Sequence, residues 1–150
     1  LGVLHRIRHV ARSGERGPVW IEGREIRVSG DEEHIARRVR DFLRERAREE
    51  LGRRARRLAA QVDRKIGRIT VRDTTTRWGS CSANGNLAFS WRLVMAPEAV
   101  LHYVVAHEAA HLVEMNHGPR FWKLVERLVP NFERQRDWLN NNRAWLLRIG

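Results

Sequence analysis

One apolar stripe constrains this chain more than any other feature. Between residues 35 and 66 the apolar positions Ile35, Val39, Phe42, Leu43, Ala47, Leu51, Ala55, Leu58, Ala59, Val62 and Ile66 recur at steps of almost always three or four. Such steps stack side chains on one side of an α-helix. They predict one long helix from about Asp31 to Ile66, buried along a single face. Ser29 and Glu32 have the spacing of a capping box at its start. Arginines from Arg37 to Arg57 mostly fill the other face, many with Glu or Asp at helical spacing.

The segments around this helix are shorter. Residues 3–10 read as a strand, a turn is expected at Ser13 to Pro18, and Val19 to Val28 reads as a second strand that Gly23 can split in two. Ile69 to Asp73 is β-branched and reads as another strand. Arg77 to Cys81 and Leu87 to Trp91 flank Asn84-Gly85, a hairpin signal because both residues tolerate positive φ. Pro97 opens a helix to about Glu114 that is apolar on several sides and therefore central. Pro119 opens a short helix to Leu128, Pro130 ends it, and Asn131 can cap a last helix to about Arg148. At 150 residues and 42% hydrophobic the chain can fill one core but not two, so a single domain over 1–150 is expected. The fold class is α+β: a small mixed sheet, a long backing helix, a central helix and a helical C-terminus. No apolar run approaches the 18 or more residues of a membrane span, and no membrane partner is expected. The lone Cys81 cannot form an intramolecular disulfide, which favours a reducing, cytoplasmic setting.

The chemistry concentrates on the central helix, at His107-Glu108-Ala109-Ala110-His111. Two His at i and i+4 share a face and can grip one Zn²⁺ through their imidazoles. Glu108, about 100° away, can reach a water activated by the ion and take its proton. A third ligand is His117, which a continuing helix would carry about 15 Å along the axis. Asn116, Gly118 and Pro119 favour a turn that folds it back. Three protein ligands with one open position suit a catalytic zinc, whereas a structural zinc is closed. Glu126 and Glu133 are formal alternatives for the third ligand. The metzincin pattern has the same His spacing, but this chain has Glu114 at that pattern's glycine and no Met after Met115.

His107-Glu108-xx-His111 with Asn116-His117-Gly118-Pro119 and Phe121-Trp122 resembles the YgjP-like metal-dependent hydrolases, small zincins related to SprT-like and WLM proteases. Arg77-Trp78-Gly79-Ser80-Cys81, Gly85, Trp91-Arg92-Leu93 and Ala96-Pro97 resemble the same family's upstream block. The likeness is specific from about Arg77 to Trp122 and looser before it. It implies a zincin fold, one Zn²⁺ per chain on His107, His111 and His117, and Glu108 as catalytic base. It also implies an N-terminal segment preceding Leu1 in the full-length protein. The expected activity is a zinc metallopeptidase acting on peptide or protein. The alternatives are a SprT-like DNA-associated protease, a nucleotide phosphoanhydride hydrolase, and a basic nucleic-acid-binding module with structural zinc.

Other residues carry two readings each. Trp78-Gly79-Ser80-Cys81 could be an edge strand above the metal onto which a peptide adds, or an internal strand with a packed Trp. Tyr103, one turn before His107, could stabilise an oxyanion or only pack. Asn116 could orient His117 or take a left-handed turn conformation. His102, Arg92 and Arg120 are polar residues near the motif without an assigned role. The net charge of +11 suggests a nucleic-acid partner for the Arg-rich surface, or a solvated helix face. Residues 1–70 hold 19 basic and 11 acidic residues, so most of the surplus precedes the chemical block.

Overall fold

The computed structural model describes residues 1–11 and 17–149; most of the turn expected at Ser13 to Pro18 lies outside them. The order of elements is β1 (Arg6–Val10), β2 (Val19–Glu22), β3 (Glu25–Ser29), α1 (Ile35–Gln61), β4 (Ile69–Arg72), β5 (Gly79–Cys81), β6 (Leu87–Ser90), α2 (Glu98–Ala110), α3 (Pro119–Leu128) and α4 (Phe132–Arg148). Short 3₁₀ turns precede α1 and α2, at Glu32–His34 and Trp91–Met95. The α+β class is as expected, with the strands divided over two three-stranded mixed sheets, ordered β1-β3-β2 and β4-β6-β5. Each sheet joins its central strand to one parallel and one antiparallel neighbour.

The stripe of α1 explains why there are two sheets. Its N-terminal part packs Val39, Ile35 and Phe42 on Ile26 and Val28 of the first sheet. Its C-terminal part buries Ala47, Leu51, Ala55 and Leu58 in the main core with β6, the second 3₁₀ turn and α2. One helix of roughly 40 Å thus backs both sheets. No helix among the described residues is long and apolar enough to cross a membrane.

Several boundaries differ from expectation. The α-helix starts at Ile35, and Ser29 does not cap it: Ser29 is buried in β3 and its hydroxyl donates to the Pro18 carbonyl. The helix stops at Gln61, five residues short of Ile66, because Asp63 turns left-handed (φ 54°) and Arg64 N–H returns to the Ala59 carbonyl. In the β5–β6 hairpin only Gly85 has positive φ, not Asn84; the five-residue loop closes through Gly85 N–H to Ser82 O and Ser82 N–H to Asn86 O. Asn131 does sit at the start of α4, but in left-handed conformation (φ 64°) and without a side-chain capping bond. The second sheet and α2 lie against each other, and that junction builds the site.

Candidate metal centre and cleft

Helix α2 ends at Ala110, and His111 is its C-cap. The turn that follows donates Leu112, Val113 and Glu114 N–H groups back to the carbonyls of Ala109 and Ala110. The chain then reverses, and His117 returns before Pro119 starts α3. Ring nitrogens of His107, His111 and His117 all lie within 4.8 Å of one another. His111 Nε2 and His117 Nε2 are 3.0 Å apart. Two nitrogens bound tetrahedrally to one zinc at ~2.0–2.1 Å stand about 3.3 Å apart, so the donor set fits that ion. His111 Nδ1–H donates to the Glu114 carbonyl at 3.0 Å, which leaves Nε2 for a metal. Burial lowers the pKa of His111 and takes His107 down to about 4. Both rings are therefore neutral at pH 7, the form that ligates. Glu126 and Glu133 lie outside this cluster.

An aromatic wall holds the three rings. Phe121, fully buried on α3, stacks on His111 (centroids 4.4 Å apart) and meets His107 and His117 edge-on. Trp122 stacks on His117 and on Phe132, and Phe132 stacks on Tyr103. Trp122 both packs against the core and forms part of the site wall. The signal for Phe121 was present in its position one helical turn after His117.

Glu108 points off the His face into a cleft of about 280 Å³ lined also by His107, Tyr103, Gly79, Arg77 and Arg136. Glu108 is 6% exposed, and burial raises its pKa to about 7 against the pull of Arg77. Among the described residues it accepts no hydrogen bond from protein groups. Gly79 packs directly on it: a Cβ there would lie 2.9 Å from Glu108 Cγ and 3.2 Å from Oε1.

Strand β5 is an edge strand, paired on one side only, with β6. Trp78 is half-buried against the core, with the Arg143 guanidinium 5.7 Å from its ring centre. Trp78 and Gly79 line the Glu108 cleft, but Ser80 does not; it lines a neighbouring hollow that Trp78 and Gly79 also border. Tyr103 is 5% exposed and lines the cleft, and burial raises its pKa. Asn116 is exposed, makes no hydrogen bond to His117 and is not left-handed, so neither of its readings is seen. The thiol of Cys81 is pushed up to about 11 by burial and by Glu108, which keeps it protonated. Arg92 is away from the cluster, donating to Asp73 and to the Ile149 carbonyl. His102 is neutral beside Arg54 and Arg57, with its buried Nδ1 unpartnered. Sequence reasoning missed Arg77 and Arg136 as cleft residues, because only the folded chain brings β5 and α4 together there.

An α+β domain with three histidines converging on one point, beside a buried carboxylate in an open cleft, defines the class of metal-dependent hydrolases. The model of the YgjP-like, metallopeptidase domain family matches residues 1–142, and the chain belongs to that family. The crystal structure of the metallopeptidase zymogen of Pyrococcus abyssi abylysin is similar at 22% identity, covering 71% of this chain and 93% of that one, with a TM-score of 0.48. Comparison with curated proteins gives no match.

Proposed function

We propose that this chain is a zinc-dependent peptidase, with His107, His111 and His117 holding one Zn²⁺ and Glu108 as general base. The observation that carries it is the joint geometry of the three converging rings and the buried Glu108 carboxyl in one cleft. When bound, the ion would supply Lewis-acid activation of water and of the scissile carbonyl. Glu108 takes the proton of the attacking water and passes it to the leaving amine. A carboxylate whose proton affinity is raised by burial suits both halves of that task. Gly79 leaves room for its swing. Tyr103 is the group we assign to the developing oxyanion; burial keeps its hydroxyl protonated and able to donate. The free edge of β5, beside Glu108, supports backbone pairing with an extended substrate. A purely structural zinc would have no use for Glu108. The retained thiol of Cys81 is consistent with a cytoplasmic setting.

The test is hydrolysis of a denatured protein substrate by the zinc-loaded chain, alongside chelated protein and Glu108→Gln. Chelation should abolish cleavage, and Glu108→Gln should lower kcat about 10²–10⁴-fold with zinc content unchanged. Cleavage that survives both changes sinks the reading.

A further inference from the structure

The Glu108 cleft does not end at the metal side of β5. It shares Arg77, Trp78 and Gly79 with a second hollow of about 100 Å³, where Ser80 and Arg72 also sit. That hollow shares Arg72 with a third, of about 120 Å³, ending at Arg44 and Arg48 of α1. The three are neighbours through these shared residues, and together they are called the groove. Its described walls carry the cations Arg136, Arg77, Arg72, Arg44 and Arg48. The facing carboxylates are Glu108, at the catalytic end, and Asp73, already engaged by Arg44, Arg92 and the Trp91 indole. Arg72 and Arg77 are exposed, and their guanidiniums make no ion pair or hydrogen bond with other described residues. Arg48 has only the exposed Glu45 at 2.9 Å, a pairing worth little in water. A row of guanidiniums beside the Glu108 cleft, with those of Arg72 and Arg77 unpaired among the described residues and the pairs of Arg48 and Arg136 exposed, is suited to receive negative charge.

We infer that this groove selects acidic polypeptide substrates, seating Asp and Glu side chains beyond the scissile bond on Arg77, Arg72 and Arg48. This rests on the peptidase reading above and names its substrate class. Two observations favour a polypeptide over nucleic acid. The groove begins at the free edge of β5, which offers backbone donors and acceptors to an extended peptide. Among the described residues it also offers no open aromatic platform of the kind on which bases stack. Trp91 is 1% exposed between Arg44 and Arg92, and the Trp78 ring carries Arg143. The pockets along it suit a carboxylate rather than a nucleobase.

The experiment uses the zinc-loaded chain and two unstructured peptides, matched in length around one scissile sequence, one flanked by Asp/Glu and one by Ser/Asn. The acidic peptide should have the higher kcat/KM, with the advantage shrinking as salt rises. Arg72→Gln and Arg48→Gln should each lower the acidic-to-neutral ratio by about fivefold or less, and the double variant by more. Thermal melts check that both variants fold; among the described residues the Arg72 guanidinium has no bond to lose, and Arg48 has only its exposed pair with Glu45. Cleavage of both peptides with equal efficiency, or a ratio indifferent to Arg72 and Arg48, overturns the inference and leaves the peptidase reading standing. A parallel arm measures fluorescence anisotropy of the labelled peptides on zinc-loaded Glu108→Gln. If neither peptide is cleaved by the native chain but the acidic one binds through Arg72, the groove stands and the peptidase reading falls. If a single-stranded oligonucleotide binds and the acidic peptide does not, the groove belongs to nucleic acid and the inference is wrong.

Discussion

At the scale of residues, the site is decided by a glycine as much as by its carboxylate. Gly79 has no unusual φ; it is small because Glu108 lies against it. Gly79→Ala adds a Cβ 2.9 Å from Glu108 Cγ, and the carboxylate must move. The expected result is a fall in kcat of about a hundredfold, the scale of an ångström's misplacement, with zinc content unchanged. Normal turnover in that variant would show that Glu108 has room that the packing denies. Burial of Glu108 gives a second prediction, for the metal-free chain. Its folded pKa is raised from 4.5 to about 7. Stability from this group is therefore complete below its unfolded value and is lost as pH rises through about 7. The histidines run the other way: lowered in the fold, they destabilise as pH falls below 6.5 toward the folded value of about 4 for His107. The two trends oppose in wild type, so the readout is a difference. Glu108→Gln should gain stability over wild type as pH rises from 4.5 to 8, by on the order of 3 kcal/mol, in paired denaturant melts. A constant difference across that range would mean the carboxyl is solvated.

At the scale of elements, legibility in the sequence followed locality. The existence of α1, α2, α3 and α4 was readable because each writes its period or its proline into consecutive residues. So was the His-Glu-x-x-His grouping, whose geometry is one helical turn. The ends of α1 were not: Asp63 stops it by a left-handed turn that a non-glycine residue rarely signals, and Ser29 went to a strand rather than a cap. Strand partners were also hidden. β1 pairs in parallel with β3, skipping β2 in chain order, and β4 pairs in parallel with β6, skipping β5, and nothing local dictates either choice. Phe121 was legible as a motif letter but not as the ring that fixes three histidines, since that is a contact between α3 and α2. Asp73 is the plainest case of a non-local role. It follows β4, yet its carboxylate accepts from the Trp91 indole, Arg92 and Arg44, joining β4, the 3₁₀ turn and α1. Those partners hold its pKa below the usual value, the Trp91 and Arg92 bonds first. A depressed carboxylate stabilises above its unfolded value of 3.8 and loses that contribution as pH falls toward the lowered one. Asp73→Asn should destabilise by about 2 kcal/mol at pH 7, because the buried Arg92 loses its counter-charge. The deficit should shrink in acid, where wild-type Asp73 is itself protonated. Urea melts at neutral and low pH measure both.

At the scale of the whole molecule, charge and metal separate into different jobs. The +11 surplus is densest on α1, but much of it is answered there: Arg46, Arg48, Arg53 and Arg54 pair with Glu49, Glu45 and Glu50 along the helix. The charge with functional consequence is smaller and sits where two halves of the chain meet, around the cleft. The proposed metal site, in turn, is local. Its three histidines join the end of α2 to the start of α3. The main core of α1, β6, the 3₁₀ turn and α2 is closed by Leu51, Leu58, Phe89, Trp91 and Leu101 without them. Chelation should therefore leave a folded protein. Binding that favours the native state adds about 4 kcal/mol at a thousandfold excess of ligand over Kd, so removing zinc should lower Tm by roughly ten degrees while far-ultraviolet dichroism at room temperature is preserved. Readded zinc should restore both Tm and activity. Collapse of the helical signal on chelation would instead make the ion part of the core, as in domains that fold only around their metal. That outcome would favour the non-catalytic reading, because an ion needed for folding can be retained without any reaction to perform. Retention of the fold with loss of cleavage leaves catalysis as the reason for three histidines and a buried base in an otherwise self-sufficient structure.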